Sequence, residues 1–247
     1  MHFPFYKRHD EDFQAWQKTL NGVLSNIGTK LFNPLLANLP PQIKRLILLP
    51  CSDLFLLPFH AIPLADGQPL CQRYCNKLRP FHPAAYGNAK KARIVKGKGL
   101  YAVINPEENP ALVFTRCEGQ VISKFFNSNQ VDNGEIGTRE TVLDRVPEKE
   151  YLHFSCHGNY NWNDPPQSGL SLFRGKKLSL EDLQNDVVDM SSARLVTLSA
   201  CETGITDITK SSADEFVGLP AGFMLVGVPC VVSSLWSVPD IFTVILM

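Results

Sequence analysis

The chain has no surplus of either charge. Its 247 residues hold 24 Lys plus Arg against 24 Asp plus Glu. A balanced chain exerts no general electrostatic pull on nucleic acid or an anionic membrane, and neither is expected as a partner. Cysteine is sparse: seven thiols, an odd number, are too few for a disulfide scaffold at this length. The first residues lack an apolar leader, because Met1 to Asp12 mix aromatic and charged side chains, and no secretory signal is expected. Reduced thiols in a cytoplasmic protein are the simplest expectation. No Gly-x-Gly-x-x-Gly follows an apolar run and no P-loop lysine is present, so nucleotide binding has no support. No internal repeat is visible. Charge is absent from Phe216 to Pro239, a length that suggests a membrane span. Pro220, Pro229 and Pro239 interrupt it, however, and it reads better as two buried elements split at Gly227–Val228–Pro229.

What is present suits a globular α/β chain. At 44% hydrophobic and 19% charged, it can bury a sizeable core in one large domain or two small ones. Phe13, Trp16, Leu20 and Leu24 recur at helical spacing, and Pro40–Pro41 closes that lead-in. Arg45 to Leu49 reads as a buried strand, and Leu54 to Leu64 as a stretch that pairs back on it. The basic run Lys90, Lys91, Arg93, Lys96 and Lys98 reads as a solvated loop. Further on, short strands at Leu100–Ile104, Tyr151–Ser155, Leu170–Phe173, Leu195–Leu198 and Val231–Trp236 alternate with helical segments. Three of those segments begin with expected caps: Thr115 with Glu118, Thr138, and Ser179 with Asp182. A last helix is expected over Ala213–Val226. Strand and helix at short spacing argue for a largely parallel sheet flanked by helices. Such sheets place their ligands at the carboxyl ends of the strands.

Two strand ends carry chemistry. Tyr151-Leu-His-Phe-Ser-Cys-His157-Gly158 ends an apolar strand in His-Gly, and Leu195-Val-Thr-Leu-Ser-Ala-Cys201-Glu-Thr-Gly204 ends another in a cysteine before a glycine loop. If the strands are neighbours, His157 and Cys201 emerge side by side. Only a thiolate attacks well, and a free cysteine is mostly protonated near neutral pH, so it needs such a base. The backbone N–H groups of Gly158 and Cys201 are candidates for an oxyanion hole.

These two blocks resemble those of CHAT domains, a branch of the caspase- and separase-like cysteine peptidases. The resemblance extends to Leu46-Ile-Leu-Leu-Pro50, Leu57-Pro-Phe-His-Ala61, Tyr101-Ala-Val-Ile-Asn-Pro106, Asp164-Pro-Pro-Gln-Ser-Gly-Leu170, Gly218-Leu-Pro-Ala-Gly-Phe223 and Ser234-Leu-Trp-Ser-Val-Pro-Asp240. Glu118 falls in what resembles the family's short acidic helix. The resemblance divides the chain into a helical lead-in over residues 1–42 and a CHAT-like domain over 43–247. It implies a caspase-like α/β sandwich, with His157 as general base and Cys201 as nucleophile. The implied reaction is hydrolysis of a protein substrate through a thioester, with no cofactor. Relatives are often fused to recognition modules, so such a module is expected on a separate or missing segment. Residues 71–99 depart from the family pattern, and relatives usually continue beyond the position of Met247. The competing function is a CHAT-like interaction domain without turnover.

The remaining candidates divide between site and scaffold. Asp240 and Trp236 follow the last strand and are candidates for the pocket that receives a basic substrate side chain. Asp240 reads equally as the start of a helix from Ile241 onward, and Trp236 as a buried structural residue. His153 reads as a hydrogen-bonded core residue and Cys156 as packing. Ser199 and Glu202 adjoin the thiol, Glu202 as a candidate third member. Asp164 and Ser168–Gly169 have ordinary turn chemistry. Cys71 and Cys75 with His60 and His82 do not match a usual zinc spacing.

Overall fold

The computed structural model describes residues 10–50, 52–78, 99–161, 163–185, 188–200, 218–236, 238 and 240–246. They fall into two compact units, Met1–Arg79 and Pro80–Met247.

The first unit opens with helix α1 (Asp10–Ile27), which runs through a π-turn (Gly28–Phe32) into α2 (Asn33–Ala37). The amphipathic stripe is used only at its carboxyl end. Leu24 is buried, with Leu20 packed against the core, whereas Phe13 is exposed and stacks on Trp16. Strand β1 (Arg45–Leu48) pairs in parallel with β2 (Cys75–Leu78), with Arg45 opposite Cys75. Two expectations fail here. Leu54–Leu64 does not pair with β1. It forms two 3-10 turns, Ser52–Leu56 and Phe59–Ala61, because Pro58 and Pro63 remove the backbone donors a ladder would need. Nor is β1 buried on both faces: Ile47 is 61% exposed, as suits a two-stranded sheet. The apolar residues of that stretch serve the core instead. Phe59, Ile62 and Leu64 pack with Leu24, Phe32, Leu70 and Tyr74, Leu70 being on the short helix α3 (Leu70–Arg73).

The second unit is built on five parallel strands: β3 (Leu100–Ile104), β4 (Asn129–Asn133), β5 (Tyr151–Ser155), β9 (Leu195–Leu198) and β10 (Val231–Ser233). Their spatial order is β10-β9-β5-β3-β4. Central strand β3 reads Leu-Tyr-Ala-Val-Ile with every residue buried, the uninterrupted apolar run of a parallel strand covered on both faces. Helix α4 (Thr115–Ser123) covers one face, where Leu100, Ala102 and Ile104 meet Ile122, Phe126 and Val131. On the opposite face, Tyr101, Val103, Leu152, Phe154, Val196 and Leu198 pack with residues of α5 (Arg139–Arg145), α6 (Leu180–Gln184) and α7 (Leu219–Leu225). Helix α8 (Asp240–Leu246) lies against α4. A small antiparallel sheet joins β6 (Gly158–Asn159), β7 (Gly169–Ser171) and β8 (Lys177–Ser179).

Local chemistry explains the short helices. Thr138 Oγ1 accepts the Thr141 N–H, and Ser179 and Asp182 form a reciprocal capping box. The cap expected at Thr115 is different. Thr115 is already inside α4, its hydroxyl donates to the Leu112 carbonyl, and Glu118 turns away from the helix end into the core. Of the expected 213–226 helix, Leu219–Leu225 is described and residues 201–217 lie outside the described residues. Among the described residues, no helix is long and apolar enough to cross a membrane.

Candidate active site

Strands β5 and β9 are hydrogen-bonded parallel neighbours, with His153 opposite Thr197 and Phe154 opposite Leu198. Being parallel, they end at one edge of the sheet. His157 lies two residues beyond β5. On the other strand the chain is held to that edge as far as Ala200: the Ser199 N–H donates to the Phe154 carbonyl at 2.8 Å, and the Ser234 hydroxyl to the Ala200 carbonyl at 2.6 Å. Cys201 and Glu202 come next and lie outside the described residues.

The His157 ring is half-buried and has a partner that sequence reasoning missed. Its Nε2 lies 2.8 Å from Nδ2 of Asn109, in the loop between β3 and α4. Asn109 is itself tightly held. Its Oδ1 accepts the Ala111 N–H at 2.8 Å. The Asn105 side chain grips its backbone at both ends, accepting the Asn109 N–H at 2.8 Å and donating to its carbonyl at 2.9 Å. Asn105 ends β3 in a left-handed conformation, φ 42°, which asparagine tolerates better than most residues. Its N–H donates to the Ser155 carbonyl at 2.7 Å, tying this loop to the end of β5. In the sequence, Asn105-Pro and Asn109-Pro stand at i, i+4, and that repeat was the available clue.

Gly158 starts β6, opposite Leu170. The adjacent pair is bonded, since the Ser171 N–H donates to the His157 carbonyl at 2.8 Å. Bonded and non-bonded pairs alternate in an antiparallel ladder, so the Gly158 N–H faces away from β7. Trp236 is half-buried just after β10 and so leaves from the same carboxyl edge, whereas Asp240, further along, begins α8. The Asp240 side chain lies outside the described residues.

Beneath this edge sits a buried polar group. On β5 the alternation sends Leu152, Phe154 and Cys156 into the large core, and His153 and Ser155 toward α4. There the Ser155 hydroxyl donates to Glu118 Oε2 at 2.6 Å, and His153 Nε2 stands 3.2 Å from Glu118 Oε1. Burial alone would raise the Glu118 carboxyl's pKa. The His153 imidazole beside it, then the Ser155 hydroxyl, outweigh it and hold the carboxyl below its ordinary value. Gly119 permits the close seating this needs, because a Cβ there would stand 2.9 Å from the Ile104 side chain. The signal for Glu118 was two polar residues of one parity on a strand buried on both faces, which demand a polar partner.

Cys156 is buried, and burial first, then the Glu107 and Glu118 charges, push its thiol pKa well up. Ser168 is wholly inside: its hydroxyl accepts the Asn161 N–H and its carbonyl the Leu180 N–H. Asn161 Oδ1 takes the Asn163 and Asp164 N–H groups, fixing the Asp164 turn. Among the described residues no three His, Cys, Asp or Glu side chains converge to hold a metal ion, and His82 lies outside them.

No curated protein matches the chain significantly. The family model for the CHAT domain matches residues 22–247, beginning inside α1 and covering both compact units. With that match over most of its length, and a parallel five-stranded sheet between helices as in the family's caspase-like fold, the chain belongs to the CHAT domain family.

Proposed function

We propose that this protein is a cysteine endopeptidase in which Cys201 is the nucleophile and His157 its base. The observation that carries the reading is the pairing of β5 with β9, which brings the His157-Gly158 and Ser199-Ala200 segments to one sheet edge. His157 takes the thiol proton, and the Cys201 sulfur attacks the scissile carbonyl carbon. The developing oxyanion is held by the N–H groups of Gly158 and Cys201. His157 returns the proton to the leaving amine as the C–N bond breaks, leaving a thioester. Water then attacks the thioester, gives a proton to His157, and releases the acid as sulfur leaves and is reprotonated. The chemistry calls on a thiol, an imidazole and backbone amides, with no cofactor. Thiol catalysis suits a reducing, cytoplasmic setting. Trp236 and Asp240 would line the pocket before the cut, Asp240 favouring Lys or Arg. Protein substrates would be recruited by a recognition module.

The test is mass spectrometry after a substoichiometric dose of iodoacetamide near neutral pH, on the wild type and His157→Ala. Selective labelling of Cys201, slowed in the variant, is expected. Labelling spread over several cysteines, or indifferent to His157, would point to an interaction domain without turnover. Cys201→Ala should abolish any cleavage, and Asp240→Ala should remove a preference for basic residues in a peptide library.

A further inference from the structure

We infer that Asn109 is the positioning residue of His157: its carboxamide orients the imidazole and selects its tautomer. The inference rests on the Cys201–His157 reading for its consequence in catalysis, but not for its geometry. The amide cannot be turned at will. Its oxygen is committed to the Ala111 N–H at 2.8 Å, so the group 2.8 Å from His157 Nε2 is the NH2 end. An NH2 donates. Nε2 must therefore present its lone pair, and the neutral ring carries its proton on Nδ1. The grip of Asn105 on both backbone groups of Asn109 makes this orientation a property of the loop rather than of one rotamer.

Two consequences follow. The Asn109 NH2 occupies the Nε2 lone pair, so His157 must exchange that contact for the thiol proton, and what Asn109 supplies is the ring's orientation rather than added basicity. Reversing the polarity of the contact reverses the tautomer. Among the described residues no charged side chain is bonded to the ring. Glu107 and Glu118 act on the adjacent Cys156, His153 is engaged with Glu118, and Glu108 lies against Gly134. Asp at position 109 has the same shape: one oxygen still takes the Ala111 N–H, and the other faces Nε2 as an acceptor.

The test compares wild type, Asn109→Asp and Asn109→Ala by NMR of histidine-labelled protein across pH, with the His157 signals assigned from His157→Ala. In the wild type, His157 should be protonated at Nδ1 and bare at Nε2 above its titration midpoint. In Asn109→Asp the proton should move to Nε2 and the midpoint rise by about 1 pH unit or more, the usual effect of an adjacent carboxylate. Asn109→Ala should give a mixed tautomer. The pH dependence of Cys201 alkylation should move with the NMR midpoint. The same tautomer and midpoint in all three folded proteins would overturn the inference. A tautomer change with an unreactive Cys201 would leave Asn109 as the positioning residue and remove the peptidase reading instead.

Discussion

His153 Nε2 stands 3.2 Å from Glu118 Oε1, and both side chains are almost wholly inside the protein. The pair joins α4 to the middle of β5, and its neighbours lead in sequence to the proposed dyad: Ser155 is two residues before His157, and Ser199 two before Cys201. Desolvating such groups is costly, so the pair is held only while all its members are present. Removing one leaves a buried polar group without its partner. Glu118→Ala should cost about 3–5 kcal/mol in urea unfolding at neutral pH. Glu118→Gln, which keeps the shape, should cost less.

The same carboxyl gives a pH signature. Its folded value lies below the ordinary 4.5. Its contribution is therefore complete above the unfolded value and disappears as pH falls through the lower folded one. Stability of the wild type should fall in that acid window, and Glu118→Gln should show a flatter fall there. Parallel acid limbs for the two proteins would refute the assignment.

Gly119 is the neighbour that lets Glu118 reach β5. A methyl group there meets the side chain of Ile104, which is fully buried. Gly119→Ala gains about 1 kcal/mol of helix propensity. Overpacking of about 1–3 kcal/mol opposes it. The net expectation is a loss of stability on urea unfolding, with faster amide exchange in α4. A stabilised variant would show that the helix seats freely.

Cys156 adjoins His157 in sequence but points into the large core, with its thiol pKa pushed up by burial. It should remain unalkylated in the native protein and become labelled only on unfolding. Cys156→Ala should leave the labelling rate of Cys201 unchanged. The exposed Cys71, Cys75 and Cys117 supply the background against which selectivity is judged.

Part of this was legible in the sequence because local signals and tertiary demands agreed. The apolar runs ending in His157-Gly158 and Ser199-Ala200 announced parallel strands, and Ser179 with Asp182 announced a helix start that the structure contains. Thr115 and Glu118 carry the same capping pattern, yet Glu118 was claimed by His153 and Ser155, partners far away in sequence. Spacing cannot show such partners. Leu54–Leu64 is as apolar as a strand, but its prolines leave it to fill the core through 3-10 turns. Asn109 was hidden for a third reason: its role comes from a loop geometry set by Asn105, and loops have no period to read.

Asn105 separates the backbone demand of that loop from its side-chain grip. Its φ of 42° is costly for most side chains and free for glycine. Asn105→Gly therefore keeps the turn and deletes only the two bonds to Asn109, whereas Asn105→Ala deletes them and adds strain. The loss of two hydrogen bonds should destabilise the glycine variant by roughly 1–2 kcal/mol, and the alanine variant by about 1–2 kcal/mol more. If the grip is what holds Asn109 against His157, both variants should slow iodoacetamide labelling of Cys201 to the same degree, despite their different stabilities. The fall should be of order tenfold or more, since small misplacements of a base are expensive. Labelling that tracks stability, with the glycine variant close to wild type, would mean that Asn105 shapes the turn and that Asn109 finds His157 without it.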